Sequence, residues 1–146
     1  MSYQFQLKQF RFSQNSPNTT GSAAIPIGTI IPTVLAHFQI HTNRDDSVQL
    51  VGNVGWRADG DGVSNFVSVL FEILRGNTVI YSASDSAVSE KDNLRLTPLS
   101  HIDSGFTSSG DVTYTLRATT EFPANPTAST AIGPISLYGK RIDTDK

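Results

Sequence analysis

Three histidines and two short acidic runs are the residues of this 146-residue chain whose types could hold a metal or move a proton. His37 and His41 stand four apart, the spacing at which a helix brings two imidazoles to one ion. Their neighbours alternate apolar and polar residues instead, and four residues of strand separate the two side chains by about 13 Å, too far to share a metal. His101 has no recognisable partner. Asp59-Gly60-Asp61-Gly62 puts two carboxylates on a glycine-rich loop, the opening of a calcium ligand set, but the further acids and closing glutamate that such a loop needs do not follow. It reads as an acidic hairpin loop, and Asp45-Asp46 as a turn. No metal site and no cofactor are expected.

Nucleophilic chemistry finds no support either. Gly-x-Ser-x-Gly, Ser-x-x-Lys and His-Glu-x-x-His are all absent, and the glycines sit singly at turns rather than in a strand-to-helix phosphate cradle. The chain has no cysteine, which excludes disulfides, thiolate zinc sites, iron–sulfur clusters and cysteine nucleophiles. No enzyme activity is expected, and a formal charge of -2 gives no bias toward nucleic acid. Trp56, Tyr81, Tyr114 and Tyr138 have the ring chemistry of a sugar-stacking platform, but at strand positions such rings more often fill a core or a subunit interface.

The elements that position these residues are strands. Serine and threonine number 17 and 15 against 3 glutamates and 4 lysines, so strand and turn formers outnumber surface helix formers. Val34, Ala36, Phe38 and Ile40 alternate, as do Val48, Leu50, Val54 and Trp56, with Gly52 and Gly55 marking a bulge, an edge or a close backbone approach. An almost continuous apolar run from Phe66 to Arg75 meets Thr78-Val79-Ile80-Tyr81 across Gly76-Asn77, a two-residue hairpin signal. The segment from Ser82 to Asp92 reads as a polar loop able to carry a short edge strand, and Leu94, Leu96 and Leu99 resume weakly around Pro98. Val112, Tyr114, Leu116 and Ala118 form the most regular strand, ended by Pro123 and Pro126, and a last strand runs from about Ile132 to Ile142. The pattern predicts an all-β fold, an antiparallel β-sandwich of jelly-roll topology with about eight strands. The N-terminus lacks a secretory signal, and no apolar run approaches the roughly 20 residues of a membrane span, so no membrane insertion is expected.

Four strings carry a family likeness: Val48-Gln49-Leu50-Val51-Gly52, Val69-Leu70-Phe71-Glu72-Ile73-Leu74-Arg75-Gly76-Asn77-Thr78-Val79-Ile80, Tyr114-Thr115-Leu116-Arg117-Ala118 and Ile132-Gly133-Pro134-Ile135-Ser136-Leu137-Tyr138-Gly139. Over roughly residues 34–142 the chain resembles the small exosporium proteins of spore-forming bacilli, of the exosporium protein C kind. More distantly its strand order is similar to the trimeric jelly-roll heads of the complement C1q and tumour necrosis factor type. The first resemblance implies a structural protein of the spore surface or an extracellular appendage, made without a classical signal peptide, whose partners are its own copies and other spore-surface proteins. The N-terminal strand with its connector, and the acidic loop at Asp59 to Gly62, depart from that likeness.

That N-terminal segment carries the interaction chemistry. Tyr3, Phe5 and Leu7 alternate with polar residues, and the apolar phase then shifts by one to Phe10 and Phe12 across Gln9, as a strand with a bulge would. The boundaries expected are a strand or connector over 1–12, a flexible leash over 13–24, a jelly-roll domain over 25–142 and a charged tail over 143–146. A strand on a leash either completes its own sheet or adds to a neighbour's edge. The leading expectation is a non-enzymatic structural subunit that self-associates, as in a fibre, through Tyr3, Phe5, Leu7, Phe10 and Phe12. The alternative is a trimeric head that recognises a carbohydrate or a protein receptor through loops 57–65 and 84–93.

Overall fold

The computed structural model describes residues 4–14, 24–63, 65–89 and 93–145. These form nine strands: β1 (Gln4–Gln14), β2 (Ile25–Pro26), β3 (Thr33–Thr42), β4 (Ser47–Ala58), β5 (Phe66–Arg75), β6 (Thr78–Val88), β7 (Leu94–Asp103), β8 (Gly110–Phe122) and β9 (Ser129–Asp145). Two antiparallel sheets face each other. One has the order β1-β9-β4-β7, with β2 collinear with β1 along the same edge of β9, and the other has the order β3-β8-β5-β6. The chain passes between the sheets as a jelly roll does.

Alternation sets which side chains meet between the sheets. Val48, Leu50, Val54 and Trp56 of β4, Val67, Val69, Phe71 and Ile73 of β5, and Tyr114, Leu116 and Ala118 of β8 are all fully buried. Each large apolar side chain so buried contributes roughly 1.5–3 kcal/mol. The hairpin at Gly76-Asn77 forms as its sequence predicts, with Arg75 opposite Thr78 and Gly76 at a φ of 58°. Gly55 marks a close approach: it sits at a register shift between β4 and β9, where a Cβ would lie 2.0 Å from the Gly133 carbonyl oxygen.

Four boundaries differ from expectation. In β3 a register shift between Val34 and Ala36 turns Leu35 inward and leaves Val34 outside, because a bulge reverses the phase of the alternation. Residues 82–88 are strand rather than loop, since Ala83, Asp85 and Ala87 turn inward while Ser82 and Ser84 face solvent on an edge paired along the whole length of β5. The strand β1 continues through Ser13 to Gln14, so the described part of the expected leash begins as strand, and residues 15–23 lie outside the described residues. The charged segment 143–145 is likewise strand, its backbone paired with Gln4 to Gln6.

One end of the sandwich is held by a buried polar group. The Asp103 carboxylate accepts hydrogen bonds from Tyr114 Oη at 2.6 Å and from Arg75 Nη1 at 3.1 and 3.2 Å, while the Arg75 guanidinium lies over the Phe106 ring. Burial, and then the hydrogen bond and charge of Asp103, push the Tyr114 phenol well above its ordinary value, with Arg75 opposing. A raised native pKa means that the unfolded chain loses this proton first, so the stabilisation is complete below about pH 10 and declines as pH rises beyond it. Tyr114→Phe, which has no such proton, should therefore melt below the parent protein at pH 8, and the gap between their melting temperatures should narrow between pH 10 and 12. A gap that is constant with pH would show that Tyr114 ionises as readily folded as unfolded.

Candidate self-association surface

The predicted bulge in β1 is present: Leu7 lies opposite Ile142 and Gln9 opposite Arg141, with the register shifting between them. The shift changes what the next residues face. Phe10 pairs with Lys140 and Phe12 with Tyr138, while Gln9 turns toward β3, where its Oε1 accepts the His41 backbone N–H at 2.9 Å. Arg141 donates from Nη1 to the His41 carbonyl at 3.0 Å, so both backbone groups of this edge residue are satisfied by side chains.

Two rows cross the sheet from β1 to β7, namely Phe10–Lys140–Gln49–Ile102 and Phe12–Tyr138–Val51–Ser100. Because Val48 and Leu50 beside them point inward and are fully buried, both rows lie on the outer face. Phe10 and Phe12 are 45% and 62% exposed, with ring centroids 5.9 Å apart, and Phe10 lies 5.6 Å from the Tyr138 ring. The apolar residues of β1 whose side chains are described thus face solvent rather than the core. At the opposite edge of the same face, β7 exposes Leu94, Leu96 and Ile102 by 57–62%. Sequence reasoning missed this second cluster. Its signal was the even-numbered run Leu94, Leu96, Pro98, Ser100, Ile102, whose odd-numbered neighbours Thr97, Leu99 and Asp103 are the buried ones.

Of the other residues singled out, Phe5 and Leu7 lie in β1 with backbones opposite Thr144 and Ile142, their side chains outside the described set, and Tyr3 falls outside the described residues. The rings of Trp56 and Tyr114 are buried, Trp56 donating from Nε1 to Thr97 Oγ1 at 2.9 Å, and Tyr81 stacks near His101 at 5.6 Å, so only Tyr138 of the four joins the surface aromatics. His37 and His41 are exposed along β3, with His41 Nδ1 2.9 Å from Asp111 Oδ1. Asp59 is held by Arg57 and by Thr130 Oγ1 at 2.7 Å, and Asp61 Oδ1 accepts the Val63 N–H. Among the described residues no three metal-ligating side chains gather.

The outer face of the second sheet differs. It carries His37, Gln39, Thr113, Thr115 and Thr119, the Arg117–Glu72 pair at 3.0 Å, and Glu121, which accepts from Ser84 Oγ at 2.7 Å. Its exposed apolar residues are Phe66, Phe122 and Val88 together at one end, Val34 on β3 and Val79 beside the Gly76-Asn77 turn.

No family model and no curated protein matches the chain. Among solved structures, Eiger TNF from S. frugiperda is similar over 95% of this chain and 96% of its own, with a TM-score of 0.50 at 8% identity. The dimeric latent PorU of Porphyromonas gingivalis is similar over 98% of this chain, with a TM-score of 0.50 at 11% identity. This chain spans 13% of that protein's length. At such identities the likeness is one of fold, and it joins the observed strand order in making this chain a jelly-roll β-sandwich.

Proposed function

We propose that this protein is a non-enzymatic structural subunit of a spore-surface or extracellular-appendage assembly, self-associating through its N-terminal strand and the sheet face beside it. The observation that carries this reading is the outer face of the β1-β9-β4-β7 sheet, which exposes an aromatic cluster on β1 and an aliphatic cluster on β7 at its two edges. Exposed apolar clusters rimmed by polar residues mark interaction sites on soluble domains. The spore-surface assignment comes from the resemblance of the strands over 34–142 to exosporium proteins, and the absence of enzyme activity from the scattering of the titratable residues.

The purified chain, measured by light scattering and negative-stain microscopy, should form large regular assemblies. A discrete trimer would favour a binding head that acts through loops 57–65 and 84–93. A monomer at all concentrations would overturn the self-association reading.

A further inference from the structure

The described side chains of β1, Gln9 to Ser13, include none that is buried, and this part of the strand is held by its backbone ladder to β9, by the Gln9–His41 hydrogen bond and by ring contacts at the surface. Elements with few buried contacts open at low cost in free energy.

Its tether is also longer than its place requires. Gln14 lies opposite Ser136 and Ile25 opposite Ala131, so both strands lie along one edge of β9; on the other edge these two positions face Asn53 and Trp56, three steps of β4 apart, a span of about 10 Å. Two or three residues would bridge that span, whereas ten, 15–24, separate Gln14 from Ile25. Eleven chain steps reach about 36 Å when extended, more than three times the distance to be covered. A tether of that length lowers the effective concentration of β1 at its own edge and lets it reach a neighbour's.

From these observations we infer that β1 is exchanged between copies, residues 4–14 of one chain lying on β9 of the next in the register seen within the single chain. The inference rests on the self-association reading and deepens it by naming the occupant of the β9 edge, a second copy's β1. Exchange reproduces every β1–β9 pairing, so the strand itself loses nothing, while each transfer joins two bodies. Passed onward from copy to copy, the contact is head-to-tail and propagates. Returned between two copies, it closes a dimer.

A chain without cysteine makes the test clean. Gln14→Cys is placed on one copy and Ser136→Cys on another, with different tags, and the two are mixed under assembling conditions with mild oxidant. Directly opposed residues of an antiparallel pair have Cα atoms about 4.5–5.5 Å apart, within disulfide range. Neither copy can close a bond within itself. The expected result is a mixed disulfide dimer at least tenfold more abundant than in a control that pairs Gln14→Cys with Thr115→Cys on the other sheet. Assemblies seen by light scattering without mixed dimers above the control, together with intrachain closure in a single copy carrying both substitutions, would overturn exchange and leave self-association standing. Absence of any assembly would overturn both.

Discussion

Phe10→Asp combined with Phe12→Asp is expected to abolish assembly while leaving the subunit folded. Both rings are about half exposed or more in the single chain, and neither belongs to the buried core. Charging them therefore costs the isolated fold little beyond the contact of Phe10 with Tyr138. Strand exchange alone leaves both rings as exposed as in the single chain. The expected effect comes from bodies that also pack together through this sheet face, where the same positions would place carboxylates out of water, a penalty of several kcal/mol per interface. At about 1.4 kcal/mol per tenfold, the concentration needed for assembly should rise by at least 100-fold. The check pairs a melting curve with light scattering across a concentration series, and the expected outcome is a near-parental melting temperature with a monomeric mass. Assembly at parental concentrations would remove this face from the interface. Leu96→Asp with Ile102→Asp at the opposite edge separates one contact from two: a face used at both edges loses assembly with either pair.

The second large effect is on folding. Asp103→Ala should cost about 1–3 kcal/mol, the range for leaving a buried polar group unsatisfied. The Asp103 side chain is 6% exposed, and its loss leaves the buried Tyr114 hydroxyl without its acceptor, while Arg75, a third exposed, keeps the Ser104 carbonyl. For a domain of this size that corresponds to a fall in melting temperature of about 2–12 °C. Asp103→Asn keeps an acceptor for Tyr114 and should fall less. The comparison is Asp59→Ala, whose pair with Arg57 is solvent-exposed and should change stability by under about 1 kcal/mol. Equal losses in Asp103→Ala and Asp59→Ala, measured by urea unfolding, would show that the buried cluster adds no more than a surface pair.

Periodicity within each segment made much of the fold legible. The even-numbered residues of β4, and Tyr114, Leu116, Ala118 and Thr120 of β8, are inward because a strand's side chains point to opposite faces in turn, a relation that neighbours along the chain fix between themselves. Gly76-Asn77 specified its hairpin, and the phase change between Leu7 and Phe10 specified the bulge of β1, for the same local reason. Alternation does not say what lies opposite a face. The aromatic side of β1 was legible as a face, but its orientation toward solvent depends on β1 docking at the edge of β9, more than a hundred residues away, with Gln9 turned to β3. Leu94, Leu96 and Ile102 are exposed for a related reason: in β7 the inward phase is taken by Thr97, Leu99 and Asp103, whose partners come from β4, β5, β6 and β8. Residues 82–88 looked like a loop because an edge strand with one solvated face needs few apolar residues, and it is pairing with β5 that makes them a strand. Outside residues 82–88 and the bulge of β3, the sequence by itself determined the strands, their turns and the two faces of each. Which face meets the core, and hence which apolar residues remain for a partner, was decided only by contacts between segments distant in the chain.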